Sequence, residues 1–299
     1  MRLSLSIRTA LIAAFAAGAT GSLHAGEVWT ENGAEALARA QREKKDLFVA
    51  FTGSDWTIYD AKLAGEVFDQ AQFISEAPRA FVLLRLDFPK KKQLSPELKR
   101  QNDEWKAKFR VNGFPTVMLL DSAGKVYART GYRPKGAEAY LKHLAELRAI
   151  REQRDAALAK AGTAAGIEKA RLLDSAIAPM ERVIVIDYYS DVVAEIVRLD
   201  ADGRAGLKSK YDAWIALRKA DISAAVDKSA EAVASLDEAI RLLGPTGETT
   251  QEALYFKGFI LMGQKDKPGA KAALEAAIQA APKTRRALEC RWMIEKQLK

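Results

Sequence analysis

Cysteine is nearly absent from this 299-residue chain: Cys290 is the only one, and the two histidines are His24 and His143. An intramolecular disulfide, a Cys/His metal cluster and a two-cysteine redox centre are therefore excluded by count. A Cys–His dyad would have to join Cys290 to His143, residues of different domains, with no motif around either. A Ser–His–Asp triad would depend on His143, which lies in a charged helical stretch without a nucleophile motif and reads as a surface helix residue. Long apolar runs are also missing, and none is long enough to span a bilayer. No residues read as ligands for a metal or a cofactor.

The one short apolar run lies at the start. Met1–Arg8 is cationic, Thr9–Ala17 is small and apolar, and Leu23-His24-Ala25 ends in a small residue. That order reads as a secretory signal (residues 1–25) cleaved near Ala25. The expectation is an exported protein, periplasmic or extracellular, that associates with a membrane only if the signal stays in place. Formal charge is +8, but the basic residues are interspersed with acids, as in Arg39–Asp46. This patterning reads as a solvated surface without nucleic-acid binding, with the loop run Lys90–Lys92 leaving an anionic surface or acidic partner open.

Residues 26–150 alternate between strand-like and helix-like segments. Asn32–Lys45 has helical apolar spacing, Leu47–Phe51 is a buried-strand run, and Asp60–Phe73 returns to helix spacing. Phe81–Leu86 is a second buried strand. Ser95–Phe109 is a helix with Ser95 as N-cap and Pro96 at its first position. Pro115–Leu120 and Lys125–Thr130 flank Asp121–Gly124 as a hairpin, and a last helix begins near Gly136. This order predicts a three-layer α/β domain with a mixed sheet.

Beyond residue 150 alanine becomes dense and helical periodicity persists, so 151–299 reads as an all-α domain into which the preceding helix runs as a stiff connection. Val183–Ile186 is a lone strand-like exception. Leu254-x3-Gly258-x2-Leu261, Ala270-x3-Leu274-x2-Ala277 and Pro282 resemble a tetratricopeptide repeat, a helical hairpin closed by small residues. Ala232-x3-Leu236-x2-Ala239 repeats half of that pattern, and generic helical hairpins would match it as well.

Three motifs carry a second resemblance. Phe51-Thr-Gly-Ser-Asp-Trp56, Leu86-Asp-Phe-Pro89 and Gly113-Phe-Pro-Thr116 occur in the order found in exported thioredoxin-like proteins. The region they cover, about 27–150, resembles the thioredoxin superfamily. The resemblance implies a Cys-x-x-Cys motif after Trp56, where this chain has Thr57 and Asp60. Neither side chain undergoes thiol–disulfide exchange. A rough alignment also places Ala50 where many members keep a buried acid. Thr57 suits a helix cap and Asp60 a first helical turn.

The resemblance further implies that Pro115 is a cis-proline and that the backbone before it pairs with an extended peptide. Trp56, Tyr59, Phe114, Pro115 and Thr116 are accordingly the candidate groove, with packing against the Pro115 loop as the alternative role of the two aromatics. The expected function is redox-inactive binding of exported proteins or peptides, or an adaptor role. The alternatives are a thiol-independent enzyme using Asp60, Tyr59 and Lys62, a scaffold whose groove is idle, and an intermolecular disulfide through Cys290. Partner identity and oligomeric state are not encoded in any motif.

Overall fold

The computed structural model describes residues 28–298, so the expected signal at 1–25 lies outside the described residues. Five strands form one mixed sheet in the order β1-β3-β2-β4-β5. They are β1 (Trp29–Thr30), β2 (Asp46–Thr52), β3 (Phe81–Asp87), β4 (Thr116–Leu120) and β5 (Val126–Thr130). β1, β3 and β2 are parallel, whereas β4 and β5 run antiparallel to their neighbours. β1 is too short to have left a periodic signal.

Both faces of the central strands are covered, which explains their unbroken apolar runs. Leu47, Val49 and Phe51 point to one core; Phe48 and Ala50 point to the other. Helix α1 (Gly33–Glu43) and α4 (Pro96–Lys108) border the first face. Asn32 Oδ1 caps α1 through the Glu35 N–H at 3.1 Å, and Ser95 Oγ caps α4 through the Leu98 N–H at 3.2 Å. The second face is covered by α2 (Ile58–Leu63), α3 (Ala71–Glu76) and the start of α5 (Gly136–Ala161).

The single helix expected over Asp60–Phe73 is instead broken. After Leu63 the backbone widens into a π-turn at Ala64–Phe68, and α3 begins anew at Ala71. Adjacent Val67 and Phe68 and the later Phe73 are all buried in the same core. No continuous 3.6-residue helix places residues 67, 68 and 73 on one face, so the local backbone yields to packing.

α5 runs through residue 150 without interruption, and the first core continues with it. Ala161, Ile177, Ile184, Tyr189, Ile196 and Tyr211 join Val49, Leu84 and Met118 in that core. The helices that follow are α6 (Gly166–Ile177), α7 (Arg182–Tyr188), α8 (Ser190–Leu199), α9 (Leu207–Ala225), α10 (Ser229–Leu243), α11 (Glu248–Gly263), α12 (Lys267–Ala280) and α13 (Arg285–Gln297). Val183–Ile186 is helical, because its β-branched residues pack in α7 against the sheet side of the core.

The repeat spacing corresponds to two helical hairpins, α9–α10 and α11–α12. Ala216, Ala220, Ala232, Leu236 and Ala239 share one cluster. In the second hairpin a Cβ on Gly258 would lie 2.9 Å from Leu274 Cγ and 3.3 Å from the Ala270 carbonyl oxygen. Only glycine permits that approach. Cys290 is fully buried in α13 against Leu274 and Ala277, with its thiol shifted upward by burial. No helix among the described residues is long and apolar enough to cross a membrane.

Candidate functional site

The site forms where the parallel strands β2 and β3 end and β4 begins. Three loops meet there, and the Thr52–Trp56 segment joins them. Asp87, the last residue of β3, accepts hydrogen bonds from Thr52 Oγ1 at 2.7 Å, the Ser54 N–H at 3.0 Å and Ser54 Oγ at 2.6 Å. Asp55 reaches the next loop, where its carboxylate accepts the successive Lys90, Lys91 and Lys92 N–H groups at 2.9, 2.7 and 3.3 Å. Those amides hold the Asp55 carboxyl below the usual aspartate range, against a smaller opposing effect of burial.

Trp56 completes the joint. Its indole N–H donates to the Phe88 carbonyl at 2.9 Å, and its ring meets Phe114 edge-on at 5.8 Å between centroids. Phe88 and Phe114 stack at 5.0 Å. A Cβ on Gly53 would fall 2.6 Å from the indole, so this glycine makes room for the ring. The residues of the Thr-Gly-Ser-Asp-Trp motif thus hold the loops in register by contacts that use no thiol.

Thr57 and Asp60 open α2. Thr57 is the N-cap: its Oγ1 accepts the Asp60 N–H at 3.0 Å, while its hydroxyl donates to Asp60 Oδ2. The capping role expected of Thr57 is therefore observed. Asp60 departs from a simple dipole-stabilised acid. It is 4% exposed, and its Oδ1 has no hydrogen-bond partner among the described residues. Burial raises its carboxyl above the ordinary aspartate value; the Thr57 hydroxyl and the Gly53 backbone oppose the shift, and the Asp87 charge adds to it. Desolvation outweighs the helix terminus here. Ala50, by contrast, is fully buried on β2 between Val117 and Arg85 in the strand pairing.

This shift carries a signed prediction. A carboxyl whose ionisation is raised in the fold contributes most below its unfolded value, and that contribution is lost as pH rises through the raised value. Asp60→Asn is expected to raise stability near neutral pH by about 1 kcal/mol, the scale of one unsatisfied buried polar group. The gain should vanish near pH 3.5, roughly where aspartate is protonated in the unfolded chain too. Urea unfolding at both pH values checks it; an equal difference at the two would remove charge from the explanation.

The cis-proline implied by the resemblance is present: the Phe114–Pro115 peptide is cis. Thr116 Oγ1 donates to the Gly113 carbonyl at 2.7 Å and closes the loop. The Phe114 N–H and C=O take part in no hydrogen bond among the described residues. Trp56 and Tyr59 remain 42% and 55% exposed beside this loop. Trp56 therefore packs on the loop while part of it stays open to solvent. Tyr59 turns the other way, tilted on Tyr132 at 5.8 Å, and Tyr132 donates to Glu66 at 2.8 Å. The structure brings Trp56, Phe114, Pro115 and Thr116 together, with Tyr59 on the far flank.

Two features had no sequence signal. Phe88 is the centre of the ring cluster, legible beforehand only as part of the Leu-Asp-Phe-Pro motif. Beyond Asn112 a cleft of about 1490 Å³ opens between α4, the end of β5, α7 and α9, and is lined by Lys106, Arg110, Arg129, Arg218 and Asp221. Its walls come from residues more than a hundred positions apart. His143 is half-buried, not a surface residue: its Nε2 lies 3.0 Å from Thr130 Oγ1, and burial lowers its pKa. Among the described residues no group of three or more His, Cys, Asp or Glu is placed to hold a metal ion.

Comparison with known proteins agrees with this architecture. Residues 33–146 match the family model described as a thioredoxin-like domain. The disulfide bond reductase DsbH of Chlamydia pneumoniae is 33% identical over 122 residues, covering 41% of this chain and 74% of the relative. The thioredoxin-related protein DsbJ of the same organism is 30% identical over 104 residues, which is 35% of this chain but only 30% of that protein. A solved structure of a DsbH oxidoreductase is 32% identical, covers 40% of this chain and 82% of its own, and superposes with a TM-score of 0.38. The motif order, the β1-β3-β2-β4-β5 sheet, the cis Phe114–Pro115 loop and the identity to DsbH together show that this chain belongs to the thioredoxin superfamily.

Proposed function

We propose that this protein binds extended polypeptide segments at the Phe114 loop without exchanging thiols, as an exported binding or adaptor protein. One observation carries the reading: the Phe114 N–H and C=O are unpaired among the described residues, beside the 42%-exposed Trp56 and the partly buried Phe114 ring. An extended chain can pair with such a main-chain edge by strand addition, and the aromatic face supplies an anchor. DsbH, similar to this chain over 122 residues, is named as a disulfide bond reductase. A thiol is the nucleophile of that chemistry. Thr57 and Asp60 occupy the helix start in this chain, and Cys290 is buried far away in α13. The helical hairpins, which stack as repeat modules do, supply a second surface for protein contacts.

The test pairs two assays on the purified chain. Insulin reduction should not exceed the buffer rate. Fluorescence anisotropy with labelled ten-residue extended peptides should detect binding, and Trp56→Ala should weaken it roughly thirtyfold, the effect of losing a central aromatic anchor of about 2 kcal/mol. Sustained insulin reduction, or peptide binding indifferent to Trp56→Ala, would overturn the proposal.

A further inference from the structure

We infer that the segment bound at the Phe114 loop is acidic: a peptide whose Asp or Glu side chains reach Lys90 and Lys106 across the Trp56–Phe88–Phe114 ring cluster. This inference rests on the binding reading above and specifies its ligand.

The argument is a census of charge around the rings. Lys90 Nζ sits 4.0 Å from the Trp56 ring centroid. Lys106 Nζ sits 5.6 Å from both Phe88 and Phe114. Neither lysine forms an ion pair with a described residue, and the adjacent Lys91 and Lys92 are exposed and likewise without one. On the same helix as Lys106, Lys99 does pair with a carboxylate, Asp103, at 2.7 Å.

The acids nearby are already engaged. Asp55 is occupied by three loop amides, Asp87 by Thr52 and Ser54, and Asp103 by Lys99. Asp60 is buried beneath Thr57. The face that flanks the unpaired Phe114 main chain therefore offers four lysines without an ion pair, an excess of positive charge over the Asp55 and Asp87 carboxylates, which neutral donors hold in the loops. Cation–π contact holds two of them over the rings without cancelling that charge. A carboxylate arriving there gains a charge-assisted hydrogen bond from a lysine already positioned. A basic side chain would meet like charge instead.

The inference can be tested with three labelled ten-residue peptides that are identical except for two central positions: Glu-Glu, Gln-Gln or Lys-Lys. Binding to the full chain is read by fluorescence anisotropy at low and at physiological salt. The Glu peptide should bind about tenfold more tightly than the Gln peptide at low salt, and the advantage should shrink as salt screens it. The Lys peptide should bind weakest. Lys90→Glu with Lys106→Glu should reverse the order of the Glu and Lys peptides. Lys283→Glu with Lys296→Glu, an equal charge change at two exposed residues of the helical region, should not. Circular dichroism on each variant identifies any that fail to fold, and for those the three-peptide ranking on the unmodified chain decides alone. Equal affinity for Glu and Gln peptides, both lost in Trp56→Ala, would overturn the acidic preference and leave the groove intact. Failure of all three peptides to bind would overturn the groove reading itself.

Discussion

Replacing Arg154 with alanine is expected to destabilise the protein by about 3 kcal/mol, at the lower end of the range for breaking a buried ion pair. Arg154 lies on α5 and is 4% exposed. Its guanidinium reaches Asp121 at 2.6 Å in the β4–β5 turn, Asp155 at 2.6 Å and the Tyr189 hydroxyl at 2.7 Å. Tyr189 in turn donates to the Val126 carbonyl at 2.8 Å. One side chain therefore joins the hairpin, the long helix and the α7–α8 junction. Its loss leaves Oδ2 of the 15%-exposed Asp121 carboxylate without its cation and removes the donor to the Tyr189 hydroxyl, which keeps its bond to Val126, whereas the 44%-exposed Asp155 can turn to water. The exposed partner is why the lower end of the range applies.

At roughly 2–4 °C per kcal/mol for a chain of this size, the midpoint should fall by about 6–12 °C. Arg154→Lys should recover only part of the loss, because an ammonium cannot serve the same set of partners as a planar fork. Thermal unfolding by circular dichroism checks both variants. An Arg154→Ala protein within about 1 kcal/mol of the parent, a surface-pair effect, would show that the network is solvated.

The second large effect is expected at Asp46, where α5 meets the first residue of β2. The Tyr127 hydroxyl, on a residue 1% exposed, donates to Asp46 Oδ2 at 2.9 Å. Arg148 Nε approaches the same oxygen at 3.1 Å, and Arg151 Nε lies 3.3 Å away as an ion pair. In Asp46→Ala the two arginines, 32% and 20% exposed, can regain water, but the tyrosine hydroxyl cannot. The cost should be about 2–3 kcal/mol, set mainly by that stranded donor. Tyr127→Phe added to Asp46→Ala should therefore cost less than the two single changes combined, with a coupling of about 1 kcal/mol. Strict additivity in urea unfolding would place the cost elsewhere.

These two tethers also bear on how the molecule is divided. The sequence reads as an α/β region to residue 150 and a helical region after it. Helix α5 crosses that point, and Arg148, Arg151 and Arg154 fasten its middle to the sheet. Arg218 of α9 and Arg110 after α4 both pair with the buried Asp187 of α7, at 2.7 and 3.2 Å. A local composition shift marks where strands end. It carries no information on which distant side chains later meet across that point.

The sequence by itself determined the strand cores, the helix caps, the small-residue hairpins and the lack of thiols at Thr57 and Asp60. Each is a local property: alternating or continuous apolar runs, an Asn, Thr or Ser before a helix, alanine at repeat spacing, or simple residue identity. The burial and raised ionisation of Asp60, the helical state of Val183–Ile186, the π-turn after Leu63, the unpaired Phe114 main chain and the lysines left without partners were decided only by tertiary structure. All of these depend on what lies opposite in space: a neighbouring carboxylate, a core that demands three side chains at once, or an amide with no strand beside it. The position where a thiol would sit is thus read from the sequence. What surrounds it (a buried acid, a ring cluster and lysines without ion pairs) arises only when three separate loops meet.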